Sequence, residues 1–134
     1  MTQKILLVDD DPDVMLFNKT VVEENGYQAL TAANGDEGLT LLAKERPGLL
    51  ILDVLMPKQS GIKMYRKVKT EEQWKDIPVI ILSGISRRSF LKSQEALTEF
   101  GEEQVPEPEV YLEKPVEAEE LAQSIRETLT EDEL

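Results

Sequence analysis

Residues 5–12 read Ile-Leu-Leu-Val-Asp-Asp-Asp-Pro, a short apolar run that ends in three consecutive acids and a proline. A continuous rather than alternating apolar run predicts a strand that is buried on both faces, as in a parallel sheet. Asp11 and Pro12 predict the N-cap and the first position of a helix, which runs to Asn25 because Gly26 suits a left-handed C-terminal cap. The stretch therefore predicts a buried strand that leads directly into a helix.

The same strand–helix unit recurs along the chain. Four further strands are predicted from runs of apolar or β-compatible residues: Tyr27–Ala32, Leu49–Leu52, Val79–Leu82 and Val110–Leu112. Four further helices are predicted at Asn34 to before Arg46, Gly61–Thr70, Ser86–Phe100 and Glu117–Thr130. Regular alternation implies a parallel sheet with helices on both faces. We therefore predict an α/β fold of the (βα)₅ type, a doubly wound five-stranded parallel sheet.

The length fits one domain, so we expect a single domain over residues 1–134. Its one irregular stretch is Gly101–Glu109, which carries two prolines and four glutamates. We expect this stretch to form an extended loop before the fifth strand, longer than the usual connection of about 2–6 residues.

The composition excludes several kinds of site. The chain has no cysteine and no histidine, which excludes thiolate and histidine metal sites, histidine general bases and Ser-His-Asp triads. A net charge of −12 predicts repulsion from nucleic-acid phosphates and anionic lipid. No apolar stretch reaches the roughly 18 residues of a membrane span, and no signal-peptide pattern is present, so we expect a cytoplasmic protein.

The carboxyl ends of the predicted strands are polar, and this edge of an open parallel sheet is where ligands bind. The residues there are Asp9, Asp10, Asp11, Asp53, Ser83, Glu113, Lys114 and Pro115. Clustered carboxylates must take up protons or hold a cation, and oxygen ligands favour Mg²⁺, with Mn²⁺ as a substitute. A carboxylate can attack phosphorus and form an aspartyl phosphate, whose charge Lys114 and Ser83 would stabilise.

Four motifs on the predicted strand ends, in this order, identify a family. They are residues 5–12, residues 50–57 (Leu-Ile-Leu-Asp-Val-Leu-Met-Pro) with Gly61 following, residues 78–84 (Pro-Val-Ile-Ile-Leu-Ser-Gly) and residues 111–115 (Tyr-Leu-Glu-Lys-Pro). From about residue 3 to about residue 130 the chain resembles the receiver domains of response regulators, the CheY-like domains of two-component signal transduction. The resemblance implies a flavodoxin-like strand order, 2-1-3-4-5.

The resemblance also implies a reaction. Asp53 would accept a phosphoryl group from the phosphohistidine of a histidine kinase or a phosphotransfer protein. Asp10 would bind Mg²⁺ directly, with Asp9 helping and with Asp53 and the backbone carbonyl of Leu55 as further ligands. The chain would then be a regulatory domain rather than an enzyme, with only self-phosphorylation and self-dephosphorylation chemistry.

A switch is implied by the same resemblance. Lys114 would hold the phosphoryl group, Ser83 would rotate toward it, and Tyr111 would follow into the vacated space. The Lys114–Pro115 bond would be cis, and Gly61 would have a structural role.

Two further expectations concern lifetime and output. Leu55 and Ile85 stand where the family tunes access of water to the acyl phosphate, and both are apolar, so we expect slow self-dephosphorylation. The fourth helix, fifth strand and fifth helix would form an output face for an unknown downstream protein or for a phosphorylation-dependent homodimer. No direct contact with nucleic acid or membrane is expected, and the loop Gly101–Glu109 is a candidate for partner choice.

Three alternatives remain at this stage. The first is a scaffold with the receiver fold that is never phosphorylated. The second is a haloacid-dehalogenase-like phosphatase, in which Asp9 and Asp11 would act with Ser83 and Lys114, although Asp13 stands where threonine or valine would be expected. The third is a flavodoxin-like carrier, which the acidic first loop disfavours because it would repel phosphate.

Overall fold

A computed structural model describes residues 3–133, so residues 1, 2 and 134 of the predicted domain lie outside the described part. Within it, strands and helices alternate without exception. The elements are β1 (Lys4–Val8), α1 (Pro12–Glu24), β2 (Gln28–Ala32), α2 (Gly35–Glu45), β3 (Leu49–Leu52), α3 (Ser60–Thr70), β4 (Val79–Ser83), α4 (Arg87–Glu99), β5 (Val110–Glu113) and α5 (Ala118–Glu133). A short 3₁₀ helix, Pro57–Gln59, precedes α3.

All neighbouring strands pair in parallel, in the order β2-β1-β3-β4-β5. This confirms the predicted (βα)₅ fold and its flavodoxin-like order. Among the described residues, no helix has the length and apolar character needed to span a membrane.

Two cores form on opposite faces of the sheet because successive strand residues point in opposite directions. In β1, for example, Leu6 and Val8 face one core, whereas Ile5 and Leu7 face the other. Helices α2, α3 and α4 contribute buried residues to the first core, and α1 and α5 contribute to the second. Burial on both faces explains why β1, β3 and β4 are nearly continuous apolar runs.

The helix ends follow the predicted capping residues. Asp11 caps α1, since its Oδ1 accepts the backbone N–H groups of Asp13 and Val14 at 2.9 and 3.3 Å. Gly26, which follows α1, has a φ of 87°, the left-handed conformation that glycine adopts at no steric cost. These caps set the point at which the chain leaves each helix and re-enters the sheet.

Most element boundaries differ from the predictions by one residue, and α5 ends three residues beyond the predicted Thr130. Two of these differences have a clear local cause. The second strand begins at Gln28 rather than Tyr27, because the Tyr27 N–H still donates to the Val22 carbonyl at the end of α1. The third helix begins at Ser60 rather than Gly61, directly after the 3₁₀ turn.

Candidate functional site

The sheet brings four predicted site residues to one edge. Asp9 follows β1, Asp53 follows β3, Ser83 ends β4 and Lys114 follows β5. The sheet hydrogen bonds continue into the site: the Asp53 N–H donates to the Val8 carbonyl at 3.0 Å, and the Lys114 N–H to the Ser83 carbonyl at 2.8 Å. Each functional side chain therefore stands on backbone that the sheet holds rigidly.

Three carboxylates meet at this edge. One oxygen each of Asp9, Asp10 and Asp53 lie within 4.8 Å of one another. Asp9 and Asp53 are each only 5% exposed, whereas Asp10 is open to solvent. The Oδ1 atoms of the two buried acids are fixed by backbone, because Asp9 accepts the Asp11 N–H and Asp53 accepts the Leu55 N–H, both at 2.9 Å.

The Lys114 ammonium forms ion pairs with two of these acids. Its Nζ lies 3.1 Å from Asp9 Oδ2 and 3.5 Å from Asp53 Oδ2. One ammonium cannot balance three carboxylates, so the site keeps an excess of negative charge. A compact set of carboxylate oxygens with a solvent-open side is the donor set that Mg²⁺ uses, and the residues present therefore fit this ion.

Burial dominates the electrostatics of Asp53. Desolvation raises the pKa of its carboxyl above the ordinary value and the charge of Asp9 raises it further, while the Leu55 N–H, Lys114 and the Ser83 hydroxyl lower it. The carboxylate is thus held close to donors and a cation but partly stripped of water. Such an oxygen is well placed to act as a nucleophile.

Ser83 and Tyr111 lie side by side next to Asp53. Ser83 is fully buried. The Tyr111 hydroxyl donates to the Ile85 carbonyl at 2.8 Å, and its ring centroid lies 5.5 Å from that of Phe90. Burial raises the pKa of Tyr111 from 10.0 to about 12. The Tyr111 hydroxyl is thus tied to the segment that follows Ser83 and leads into α4.

Gly61 allows the start of α3 to press against the backbone of Asp53. A Cβ atom at this position would lie 2.2 Å from the Asp53 carbonyl oxygen and 2.7 Å from Val54 Cα, which no side chain permits. The Lys114–Pro115 peptide bond is cis. Beside the acids, the Leu55 side chain is 51% exposed and Ile85 is half-buried.

The sequence placed Glu113 at this edge without a role, and it did not identify Phe90 as a neighbour of the switch. Glu113 accepts the Arg87 N–H at 2.9 Å and so joins the end of β5 to the start of α4. Phe90 is fully buried and contacts the ring of Tyr111. In the sequence, Phe90 is only one apolar position of a predicted helix, and that pattern does not predict its contact with Tyr111.

The whole arrangement matches a known family. A family model described as the response regulator receiver domain matches residues 5–126. The chain belongs to the response regulator receiver domain family. The matched region includes every predicted site residue, from Asp9 to Pro115.

Relatives and solved structures agree with this assignment. PilH of Pseudomonas aeruginosa is 33% identical over 126 residues, which cover 94% of this chain and 97% of PilH. Sporulation initiation phosphotransferase F of Bacillus subtilis is 34% identical over 103 residues, which cover 75% of this chain and 82% of that protein. A CheY-like receiver domain protein from Methanospirillum hungatei JF-1 has a TM-score of 0.81 at 26% identity, covering 99% of this chain and 98% of the other.

Other relatives are longer than this receiver domain. The match to the probable transcriptional regulator ycf27 of Porphyra purpurea, 37% identical, covers 62% of this chain but 33% of ycf27. This chain is accordingly a phosphoacceptor signalling domain of the two-component type.

Proposed function

We propose that Asp53 is the phosphoacceptor and that the phosphoryl donor is the phosphohistidine of a histidine kinase or a phosphotransfer protein. The observation that carries this proposal is the junction of Asp9, Asp10 and Asp53 with Lys114 at one sheet edge. Asp9 and Asp53 are both buried and both bond Lys114, and Asp53 is the one on whose carboxyl the Ser83 hydroxyl also acts, lowering its pKa. It is therefore the acid best placed to react.

Mg²⁺ would be held by Asp9, Asp10, Asp53 and the backbone carbonyl of Leu55, with Mn²⁺ as a substitute. When bound, the ion supplies positive charge to the oxygens of the transferring phosphoryl group. The buried carboxylates of Asp9 and Asp53 favour this role because each has one oxygen fixed by a backbone N–H. Asp10 supports it from the solvent side.

In the transfer step, a carboxylate oxygen of Asp53 forms the new O–P bond while the P–N bond to the donor histidine breaks. The electron pair of that bond leaves with the imidazole. Lys114 already bonds Asp53 Oδ2, so its ammonium needs to move little to bind a phosphoryl oxygen. The Ser83 hydroxyl, at the end of β4 on the same sheet edge, would donate to a second oxygen. The product is a regulatory aspartyl phosphate, so the domain acts as a phosphoacceptor rather than as an enzyme on other molecules.

Output passes through α4, β5 and α5. The Tyr111 hydroxyl on β5 bonds the Ile85 carbonyl just before α4. A charge change at Asp53 would therefore alter this face by moving Ser83 and Tyr111. We infer that a downstream protein, or a second phosphorylated copy of the chain, binds there. The net charge of −12 favours a protein partner over nucleic acid or an anionic membrane.

The test is intact-mass measurement after incubation with acetyl phosphate and Mg²⁺. We expect the wild type to gain one phosphoryl mass, and an Asp53→Asn variant or a sample without divalent ion to gain none. Lys114→Met should label much more slowly because the charge on the phosphoryl oxygens loses its ammonium. A label that persists in Asp53→Asn would move the reaction to another acid such as Asp9, and an unlabelled wild type would favour the unphosphorylated scaffold.

A further inference from the structure

The connection between α4 and β5, residues 101–109, is fastened to the neighbouring helices, and we call it the strap. It begins where Gly101, with a φ of 94°, ends α4. The Gly101 and Glu102 N–H groups close the helix by donating to the Thr98 and Leu97 carbonyls at 3.1 and 3.0 Å. From this fixed start the strap crosses to α3.

Three side chains of α3 hold the strap. The Tyr65 hydroxyl donates to the Pro106 carbonyl at 2.5 Å, and the Arg66 guanidinium donates to the Glu103 carbonyl. At the end of the strap, Lys69 pairs with Glu109 at 2.8 Å. Because these residues stand at positions i, i+1 and i+4, they reach the strap from adjoining faces of one helix.

Both α4 and the strap are tied to these anchors. A second nitrogen of Arg66 donates to the side-chain oxygen of the buried Gln94, in the middle of α4, at 2.5 Å. At the start of α4, Arg87 pairs with Glu107 of the strap at 2.5 Å. Val105 of the strap packs against the core beneath. The strap and Arg66 therefore fix α4 against α3 at two points along its length.

A row of aromatic rings joins the strap to the switch. The rings of Tyr65 and Phe90 meet edge to face with their centroids 5.4 Å apart, and Phe90 lies 5.5 Å from Tyr111. The hydroxyl at one end of the row bonds the strap at Pro106, and the hydroxyl at the other end bonds the Ile85 carbonyl. The row thus spans the distance between the strap and the segment that carries Ser83.

We propose that the strap pre-organises the phosphorylation switch, a regulatory role that rests on the proposed function. If Ser83 and Ile85 moved away from the site, the start of α4 would move with them. Arg87 and Gln94 would then lose partners that α3 and the strap hold in place. The strap contacts form in the arrangement seen here, in which the Tyr111 hydroxyl bonds the Ile85 carbonyl next to Ser83. If this is the arrangement that binds a phosphoryl group, the contacts strengthen that binding by linkage.

Two substitutions remove hydrogen bonds that hold the strap, and neither changes a residue of the acidic site. Tyr65→Phe keeps the ring and removes the hydroxyl that binds Pro106, and Arg66→Met removes the bonds to Glu103 and Gln94. The matched control for Tyr65→Phe is Tyr27→Phe, because Tyr27 packs on the other face of the sheet. The matched control for Arg66→Met is Lys67→Met, because the Lys67 side chain pairs with Glu71 of its own helix end.

The readout is the concentration of beryllofluoride, a phosphoryl mimic, that half-saturates the full chain in the presence of Mg²⁺. It is followed by the amide resonance of Gly84, with amide hydrogen exchange of α4 measured alongside. We expect half-saturation to need about threefold more mimic in Tyr65→Phe and about tenfold more in Arg66→Met, since one or two hydrogen bonds change an equilibrium by such factors. Exchange of α4 should accelerate in both, and the controls should match the wild type.

The outcomes separate the two proposals. If α4 exchanges faster in the strap variants while the affinity for the mimic is unchanged, the strap is a passive brace and the inference is wrong. Tighter binding of the mimic by the variants would also contradict the inference, because the strap would then weaken phosphoryl binding. If the Gly84 resonance of the wild type does not shift when beryllofluoride and Mg²⁺ are added, the proposed function, on which the inference rests, is refuted instead.

Discussion

The ion pair between Lys69 and Glu109 gives the sharpest stability prediction. The Lys69 Nζ lies 2.8 and 3.1 Å from the two carboxylate oxygens of Glu109, and one of those oxygens also accepts the Val79 N–H at 2.7 Å. The partners differ greatly in burial, since the Lys69 side chain is 1% exposed and that of Glu109 is 43% exposed. The pair joins the end of α3 to the starts of β4 and β5.

Because Lys69 is buried and Glu109 is partly exposed, we expect the two single substitutions to lower the free energy of unfolding by different amounts. Glu109→Ala leaves a buried ammonium and the Val79 N–H without their partner, and breaking a buried pair in this way costs about 3–5 kcal/mol. Lys69→Met removes the buried charge, fills similar space, and leaves Glu109 in contact with water, so we expect a cost of about 1 kcal/mol. The double variant leaves only the Val79 N–H unpaired and should be more stable than Glu109→Ala alone.

The assay is urea unfolding followed by the fluorescence of Trp74, the only tryptophan in the chain, with far-UV circular dichroism as a second probe. The four proteins form a double-mutant cycle, whose coupling energy we expect to be clearly different from zero. Equal costs for the two single variants, or costs that simply add in the double variant, would refute the argument from unequal burial.

Three further predictions follow from the site. Gly61→Ala should destabilise the fold by roughly 2 kcal/mol or more, as measured by urea unfolding, because its Cβ would overlap the Asp53 carbonyl; unchanged stability would show that α3 shifts freely. The pKa of Tyr111 is raised from 10.0 to about 12, so the unfolded chain releases this proton first. Stability should therefore fall as the pH rises from about 10 to about 12, less steeply in Tyr111→Phe, and equal slopes of the urea midpoint against pH would contradict this. Leu55→Asn offers an amide to orient water beside Asp53 and should shorten the lifetime of the phosphorylated protein; a wild-type half-life of seconds would disprove the slow dephosphorylation predicted from Leu55 and Ile85.

Much of the fold could be predicted because parallel strands leave a strong signal. Every residue of β3, Leu49–Leu52, is buried, and that burial is what makes the run continuously apolar. The partly exposed edge strand β2 has a weaker pattern, and its start was misplaced at Tyr27 because a hydrogen bond to α1 competes there. The junction of Asp9, Asp53, Ser83 and Lys114 followed from topology, since parallel strands end at one edge.

The path of the strap could not be predicted from the sequence. Its anchors Tyr65 and Arg66 lie 41 and 37 residues from the groups they bind. Both bonds go to backbone carbonyls, which every residue possesses and no sequence pattern reveals. The sequence showed only that residues 101–109 were too long and too rich in proline for a simple turn.

The most direct test of the central claim is chemical mapping of the phosphorylated residue. The wild type, labelled with acetyl phosphate and Mg²⁺, is treated with borohydride, which reduces an aspartyl phosphate to homoserine, and the digested peptides are sequenced by mass spectrometry. Homoserine at position 53, and at neither position 9 nor position 10, is the result we predict. Homoserine at Asp9 or Asp10, or a labelled protein with no homoserine at position 53, would contradict the assignment of Asp53 as the phosphoacceptor.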